Sequence, residues 1–281
     1  MEHTENNGNT FKEPLELTED NYYSLAADQA YFSFHQYMDM VGAFNVFGCE
    51  ERALARLRGE WKEETTLPLL VGSFVDSFFD GSLDKWKEEH PECFTAKGEL
   101  KAAYKQAEKM IERCQKDELF MQAMSGEKQK IITFYWAGTW WKAKLDSYIP
   151  GVAITDLKTT AGMHKAWKIP DYGFCSFIEA YFYTGQLALY QKGIQILTGE
   201  KLPCYIAAVS KEDNPEIELI NIDQMALDNA LNQIEMNMAS AIAVKNGEVP
   251  PTKCGRCDYC KATKKLTAPI SMMDLITEGG F

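Results

Sequence analysis

Three residues have the types and spacing of a site that works on charged oxygen: Asp146, followed by Asp156 and Lys158 two apart in VAITDLKTT. Side chains two apart on a β-strand point the same way, so Asp156 and Lys158 share one face. Asp146 closes the preceding apolar stretch, and the SYIPGVAIT segment is long enough for a turn and a return that bring its carboxylate toward Asp156. Neighbouring carboxylates repel unless a cation lies between them, and oxygen donors in this number suit Mg²⁺ or Mn²⁺. Such an ion lowers the pKa of bound water and offsets charge that builds on phosphorus, and an ammonium stabilises the same charge. The chemistry indicated is in-line hydrolysis of a phosphodiester. On spacing alone, D-x-K equally describes a salt bridge at a strand edge with Asp146 in a turn.

A second constellation is Cys254-Gly-Arg-Cys257-Asp-Tyr-Cys260, three thiols at regular intervals after Pro250 and Pro251. The chain has 8 cysteines and opens on a polar, acidic segment with no apolar export signal, so reduced thiols or metal ligands are expected rather than disulfides. This spacing suits three corners of a ferredoxin-like iron–sulfur cubane with a remote fourth cysteine, and it also suits zinc. Three unligated thiols in a tail are the plainer alternative.

Composition narrows the setting for both constellations. A chain of 281 residues with 46% hydrophobic content supports a sizeable core. No apolar run is long enough to span a membrane, and a cytoplasmic location is expected. Acidic residues exceed basic ones, 41 to 29, for a net charge of -12, which excludes a protein that coats nucleic acid by bulk attraction. Positive charge must then be local, as around Lys253, Arg256, Lys261, Lys264 and Lys265, or along Lys97, Lys101, Lys105 and Lys109, where a solvated surface is the commoner meaning.

The elements that must position the chemistry follow from periodicity. Residues 1–20 read as a flexible tail and 21–265 as a single domain, with a tail again over 266–281. Helical patterning fills 21–125, including a short helix over 69–79 that opens near Gly72 and one amphipathic helix over 96–123. Aromatic and β-branched density from Lys130 predicts two strands turning at Gly138 and Thr139, then a third over 152–160. A long helix over 176–199, strands near 202–210 and 217–222, and a helix over 223–245 complete the order before the cysteine segment. Core elements in the order αβββαβ over 69–220 imply an α/β fold, a mixed central sheet flanked by helices, with an N-terminal helical region.

KLD followed by ITDLKTT resembles motifs II and III of the PD-(D/E)XK superfamily as found in phage RecE-like (exodeoxyribonuclease VIII-like) exonucleases. Gly72-Ser-Phe-Val-Asp76 is similar to the earlier helix of that group, which implies Asp76 as a further metal ligand where many relatives carry His. Gln186-Leu-Ala-Leu-Tyr190 resembles the Q-x-x-x-Y motif that follows the active strand in RecB- and RecE-like nucleases, implying DNA contacts and support for the site. Four apart on a helix, the two side chains share a face. The resemblance runs from about Phe32 to Lys265 with its motifs in the family's order. It implies a restriction-endonuclease-like core, catalysis by Asp146, Asp156 and Lys158 with Mg²⁺ or Mn²⁺, DNA as substrate, a phage single-strand annealing protein as partner, and a homo-oligomer. In related nucleases, CRISPR-associated exonucleases among them, a 4Fe-4S cluster is held by one cysteine before the core and three after it. That implies Cys49 with Cys254, Cys257 and Cys260, with zinc as the alternative.

Two other classes remain open: a catalytically idle nucleic-acid-binding module built on a cysteine-bound metal, and a nuclease of single strands. An intact Asp146, Asp156 and Lys158 set argues against the first. Trp136, Trp140 and Trp141 are expected in the core rather than stacked on bases, His164 on the surface, and Thr159 and Thr160 near a phosphate.

Overall fold

The computed structural model describes residues 2–4, 10–43, 46–169 and 173–273. Parts of the two expected tails, 1–20 and 266–281, lie outside them. In chain order the elements begin with strands β1 (Glu2–Thr4) and β2 (Thr10–Lys12), helices α1 (Leu25–Ala30) and α2 (Phe34–Met40), and short strands β3 (Gly42–Ala43) and β4 (Val46–Phe47). Helices α3 (Glu50–Leu57), α4 (Leu67–Asp80), α5 (Leu83–Glu89), α6 (Ala102–Gln115) and α7 (Glu118–Ala123) follow. The long strands β5 (Glu127–Trp136), β6 (Thr139–Ile149) and β7 (Ala153–Thr160) come next, then a small hairpin, β8 (Trp167–Ile169) and β9 (Gly173–Cys175). Helices α8 (Phe177–Ala180) and α9 (Tyr183–Thr198), strands β10 (Cys204–Ser210) and β11 (Ile217–Ile222), and helices α10 (Gln224–Lys245) and α11 (Asp258–Ala262) complete the order.

Five strands form one mixed sheet in the order β11-β10-β7-β6-β5, the mixed sheet flanked by helices that the element order implied. β7 and β10 run parallel, so the chain between them must cross the sheet, and α9 is that crossover. Alternation along β7 divides the core. Ile154, with Ile206 and Ala208 of β10, faces the cluster that holds α2, α9 and α10, whereas Leu157, with Ala207 and Val209, faces α4 and α6. Asp156 and Lys158 have the parity of Ile154 and lie on the α9 side.

Local chemistry breaks two of the expected long helices. The segment 96–123 forms α6 and α7 with a turn before them, because Gly98 takes φ +80 and Asp117 caps a new helix by accepting from the Phe120 N–H. The segment 176–199 breaks at Phe182, whose left-handed backbone swings its ring over Gly185, where a Cβ would lie 2.5 Å from the ring. The helix expected to open near Gly72 starts earlier, at Leu67, with Pro68 in its first turn.

Lysines tie the N-terminal helices to the sheet. Lys142 on β6 donates to the Tyr22 carbonyl and pairs with Asp28 at 2.7 Å, and Lys245 at the end of α10 donates to the carbonyl of Asp28 and to Gln36 Oε1, both at 2.9 Å. Glu13 accepts from Tyr31 and from Thr133 on β5, so the chain ahead of α1 is also bonded to the sheet.

The crossover helix lies very close on β5. A Cβ at Gly193 would come within 2.6 Å of Phe134 Cε1 and 2.7 Å of Ile132 Cδ1, both in buried residues. Alanine favours helix over glycine by about 1 kcal/mol, but overpacking costs about 1–3 kcal/mol. Gly193→Ala is therefore expected to lower the midpoint of urea unfolding with no change in slope. An unchanged or higher midpoint would show that the helix can lift off the sheet at no cost.

Candidate active site and metal centre

The site forms where two strands part. β6 and β7 pair at Ile149–Ala153, Tyr148–Ile154 and Ser147–Thr155, and there the ladder stops. The next opposed positions in that register are Asp146 and Asp156. Past this point the Asp146 side chain takes over from the backbone, its Oδ2 accepting from the Leu157 N–H at 2.9 Å. Asp146 Oδ1 accepts from Gln129 Nε2 at 3.4 Å, and Gln129 itself holds a left-handed φ of 49 inside β5. A non-glycine residue in that region stores strain, and such residues gather at functional sites.

Asp156 is 1% exposed, and its Oδ2 ion-pairs with Lys158 Nζ without accepting an aligned hydrogen bond. Burial pushes Asp156 up to about 7; Lys158 counteracts this and Asp146 adds to it. Burial alone would lower Lys158, but the charges of Asp156 and Asp146 outweigh it and hold the ammonium above its ordinary range. Asp76 on α4 reaches the same cluster from the far side of β7. Burial, then the charges of Asp146 and Asp156, raise it well above the usual carboxylate value, with Lys158 opposing.

The structure thus brings Asp76, Asp146, Asp156 and Lys158 together. Gln186 and Tyr190 lie beneath them on α9. Both are buried, and Gln186 Nε2 donates to the Tyr190 hydroxyl at 2.7 Å. Thr160 likewise uses its hydroxyl on the Gly162 carbonyl, and His164 pairs with Glu216 on the surface. Trp140 and Trp141 are in the core.

Sequence reading passed over three residues of the cleft. Tyr183 places its ring 4.8 Å from Lys158 Nζ, and its position one helical turn before Gln186 was the signal available. Gln129 offered none, because its role depends on lying opposite Asp146. His35 on α2 keeps an open surface, yet burial in the cleft, with Lys158 adding to it, brings the ring down to about 4 and keeps it neutral at physiological pH.

A divalent cation fits this set on two counts: a buried carboxylate oxygen on Asp156 that accepts no aligned hydrogen bond, and two acids, Asp76 and Asp156, driven upward by desolvation and by the neighbouring carboxylates. Asp76, Asp146 and Asp156 are the groups that would hold it. Their oxygens are less tightly gathered than the thiols described next, which suits an ion that completes its shell with water and phosphate oxygens.

The cysteine set is more compact. Ligand atoms of Cys49, Cys254, Cys257 and Cys260 all lie within 4.8 Å of one another, with Cys49 and Cys260 sulfurs 3.6 Å apart and Cys254 and Cys260 sulfurs 3.9 Å apart. Cys49 precedes α3, Cys254 and Cys257 precede α11 and Cys260 lies within it, so the four thiols join the N-terminal helices to the C-terminal segment; Glu50 reinforces the junction by accepting from Thr252 N–H at 2.7 Å. Burial works against ionisation of Cys254, but N–H groups of Arg256 and Cys257 and the neighbouring thiols outweigh it and bring Cys254 down to about 6. The cluster can hold a metal. Cys260→Ser is expected to reduce metal bound per chain, read by elemental analysis, and to lower Tm, whereas Cys114→Ser, remote from the cluster in α6, leaves metal content unchanged. Equal metal in wild type and Cys260→Ser would remove the site.

Among curated proteins no sequence matches this chain. Among solved structures, the crystal structure of a "Putative exonuclease" from Eubacterium rectale is 46% identical, with a TM-score of 0.91 and coverage of 93% of this chain and 98% of that one. The chain of SSO0001 is 15% identical over 78% of this chain and 95% of its own, at a TM-score of 0.27. Residues 33–263 match the family described as a PDDEXK-like domain of unknown function (DUF3799), a span that takes in the forked strands, Asp76 and all four cysteines, and the chain belongs to that PDDEXK-like family.

Proposed function

We propose that this protein is a metal-dependent DNA exonuclease that hydrolyses phosphodiester bonds at the ends of linear duplexes. One observation carries the reading: three mutually repelling carboxylates and one lysine converge at the fork between β6 and β7. A desolvated acid cluster destabilises the fold and has no use in a module that only binds nucleic acid. The similar exonuclease from Eubacterium rectale supports nuclease activity for this chain.

Bound at Asp76, Asp146 and Asp156, a divalent ion would supply Lewis acidity toward a phosphate and a water of lowered pKa. The chain's own groups do the rest. Asp146, fixed by the Leu157 N–H and Gln129, presents its carboxylate in one orientation. The Lys158 ammonium, kept charged by the acids, stabilises negative charge on the phosphoryl oxygens. Tyr183 confines that ammonium from its ring face, and the buried Gln186–Tyr190 pair fixes the floor beneath. Lys128 and Lys211 lie within the fields of Asp146 and Asp76 and add positive charge at the rim, where the DNA backbone must approach an acidic protein.

At the cysteine set, four thiolates around one tetrahedral ion at about 2.3 Å would stand about 3.8 Å apart. Separations of 3.6 and 3.9 Å therefore favour zinc over the cubane, which needs room for its own irons and sulfides between the thiolates. Its role is to clip the ends of the domain together. A place in phage recombination beside an annealing protein, with subunits in a ring, is the setting the family resemblance implies.

Purified protein incubated with Mg²⁺ is expected to degrade linear duplex and spare closed circles, and EDTA stops it. Lys158→Ala slows cleavage about 100-fold or more. Mg²⁺ should also raise the Tm of wild type by relieving repulsion among the acids, an effect that Asp156→Asn loses. Degradation that persists in Asp156→Asn would remove these residues from catalysis. A colourless protein with one zinc per chain supports the zinc assignment, and a brown one with absorption toward the blue overturns it.

A further inference from the structure

Beside the acid cluster lies an aromatic group that neither the fold nor the chemistry above requires. Tyr23 is 74% exposed. A single exposed aromatic is ordinary, but three features set this one apart. First, it stands on a built support: its ring meets Tyr22 edge-on at 4.9 Å, Tyr22 is buried, and Lys142 holds the Tyr22 carbonyl and lies 4.6 Å from its ring. The turn carrying both tyrosines is tied as well, Thr18 N–H donating to Asn21 Oδ1 at 2.8 Å and Asn21 Nδ2 to the Glu16 carbonyl at 3.0 Å. Second, Lys144 Nζ lies 4.9 Å from the Tyr23 ring and 5.7 Å from the Tyr22 ring, and among the described residues Lys144 has no carboxylate within ion-pair distance. Third, Lys144 is two residues before Asp146 on β6, about 7 Å along the strand, and the Tyr22 ring that Lys144 meets lies within the field of Asp146.

A flat, open ring beside an unpaired cation, one strand step from the carboxylates, matches one nucleotide: a base has a π-face of any sequence, and its phosphate carries the charge a lysine takes. A paired base inside a duplex hides its face, whereas an unpaired base at a strand end offers it. Resting on the nuclease reading for its substrate, we propose that Tyr23 and Lys144 bind the terminal, unpaired nucleotide of a DNA strand, the base stacked on Tyr23 and the adjoining phosphate on Lys144, so that the end is frayed as it enters the site. Trp140 and Trp141, expected in the core, are buried there, and the exposed ring is supplied by the N-terminal turn instead.

The test uses the full chain in EDTA, so that strands stay intact, and an oligonucleotide with 2-aminopurine as its terminal base. Stacking on an aromatic ring quenches this fluorophore. Wild type should quench it, Tyr23→Trp should retain the quenching, and Tyr23→Ala should lose it with affinity about tenfold weaker. Lys144→Ala should weaken binding and reduce the salt dependence by about one ion. A duplex closed by a hairpin loop at each end should bind wild type and Tyr23→Ala equally. Equal quenching by wild type and Tyr23→Ala, in protein that cuts linear DNA with Mg²⁺, overturns the nucleotide site and leaves the nuclease standing. Quenching that depends on Tyr23, in protein that cuts nothing, supports the nucleotide site and overturns the nuclease.

Discussion

The point where β6 and β7 separate governs the rest of the site. An antiparallel ladder that continued past Ser147 and Thr155 would pair the next residues through their backbones and fill the gap between them. Because it stops, the Leu157 N–H needs another acceptor, and the Asp146 carboxylate provides it. That single bond does two jobs at once: it satisfies a backbone donor in the core, where an unmade bond is costly, and it fixes one carboxylate facing another. β7 stays in the sheet past the fork because β10 pairs with it in parallel along its other edge, through Ser210 and Thr160. The acids are therefore carried by a strand that cannot relax away from its neighbour.

Charge near the fork is arranged against stability. Asp76 and Asp156 are driven upward by burial and by the charge of Asp146, and Lys158 provides only partial relief. A fold that keeps such a cluster spends stability on it, and the loss is offset by the two apolar clusters on either face of the sheet, where Ile154 and Leu157 anchor the active strand from opposite sides. The cysteine set is separate in space and purpose. It joins the start of α3 to the segment after α10, two regions far apart in sequence that also meet through the Thr252 bonds to Glu50 and the Trp61–Tyr259 ring contact.

An overall charge of -12 is compatible with a nucleic-acid substrate only if cations are placed where phosphates arrive. Within the basic runs most visible in the chain, Lys105 pairs with Glu99, Lys261 pairs with Asp258, and Arg256 covers the Phe47 ring. Lysines near the acids, Lys128, Lys144, Lys158 and Lys211, are scattered along the sequence and meet only in the fold.

What the sequence determined by itself was local in its physics. Alternation along VAITDLKTT put Asp156 and Lys158 on one face, the density of β-branched and aromatic residues marked the strands, and regular spacing singled out Cys254, Cys257 and Cys260 as candidate ligands. The family's motifs, in order, extended this to Asp76, Gln186 and Tyr190, and to a mixed sheet flanked by helices. Tertiary structure decided what depends on two distant segments meeting. The helix breaks at Phe182 and before Asp117 follow from a ring over Gly185 and a side-chain cap, both of which compete with a periodicity that reads as continuous. Gln186 and Tyr190 share a helical face in either account, but only packing shows that face to be buried. Gln129, His35, Tyr23 and Lys144 join the cleft through contacts across strands and from the N-terminal turn, and no period in the chain encodes a contact between residues that far apart.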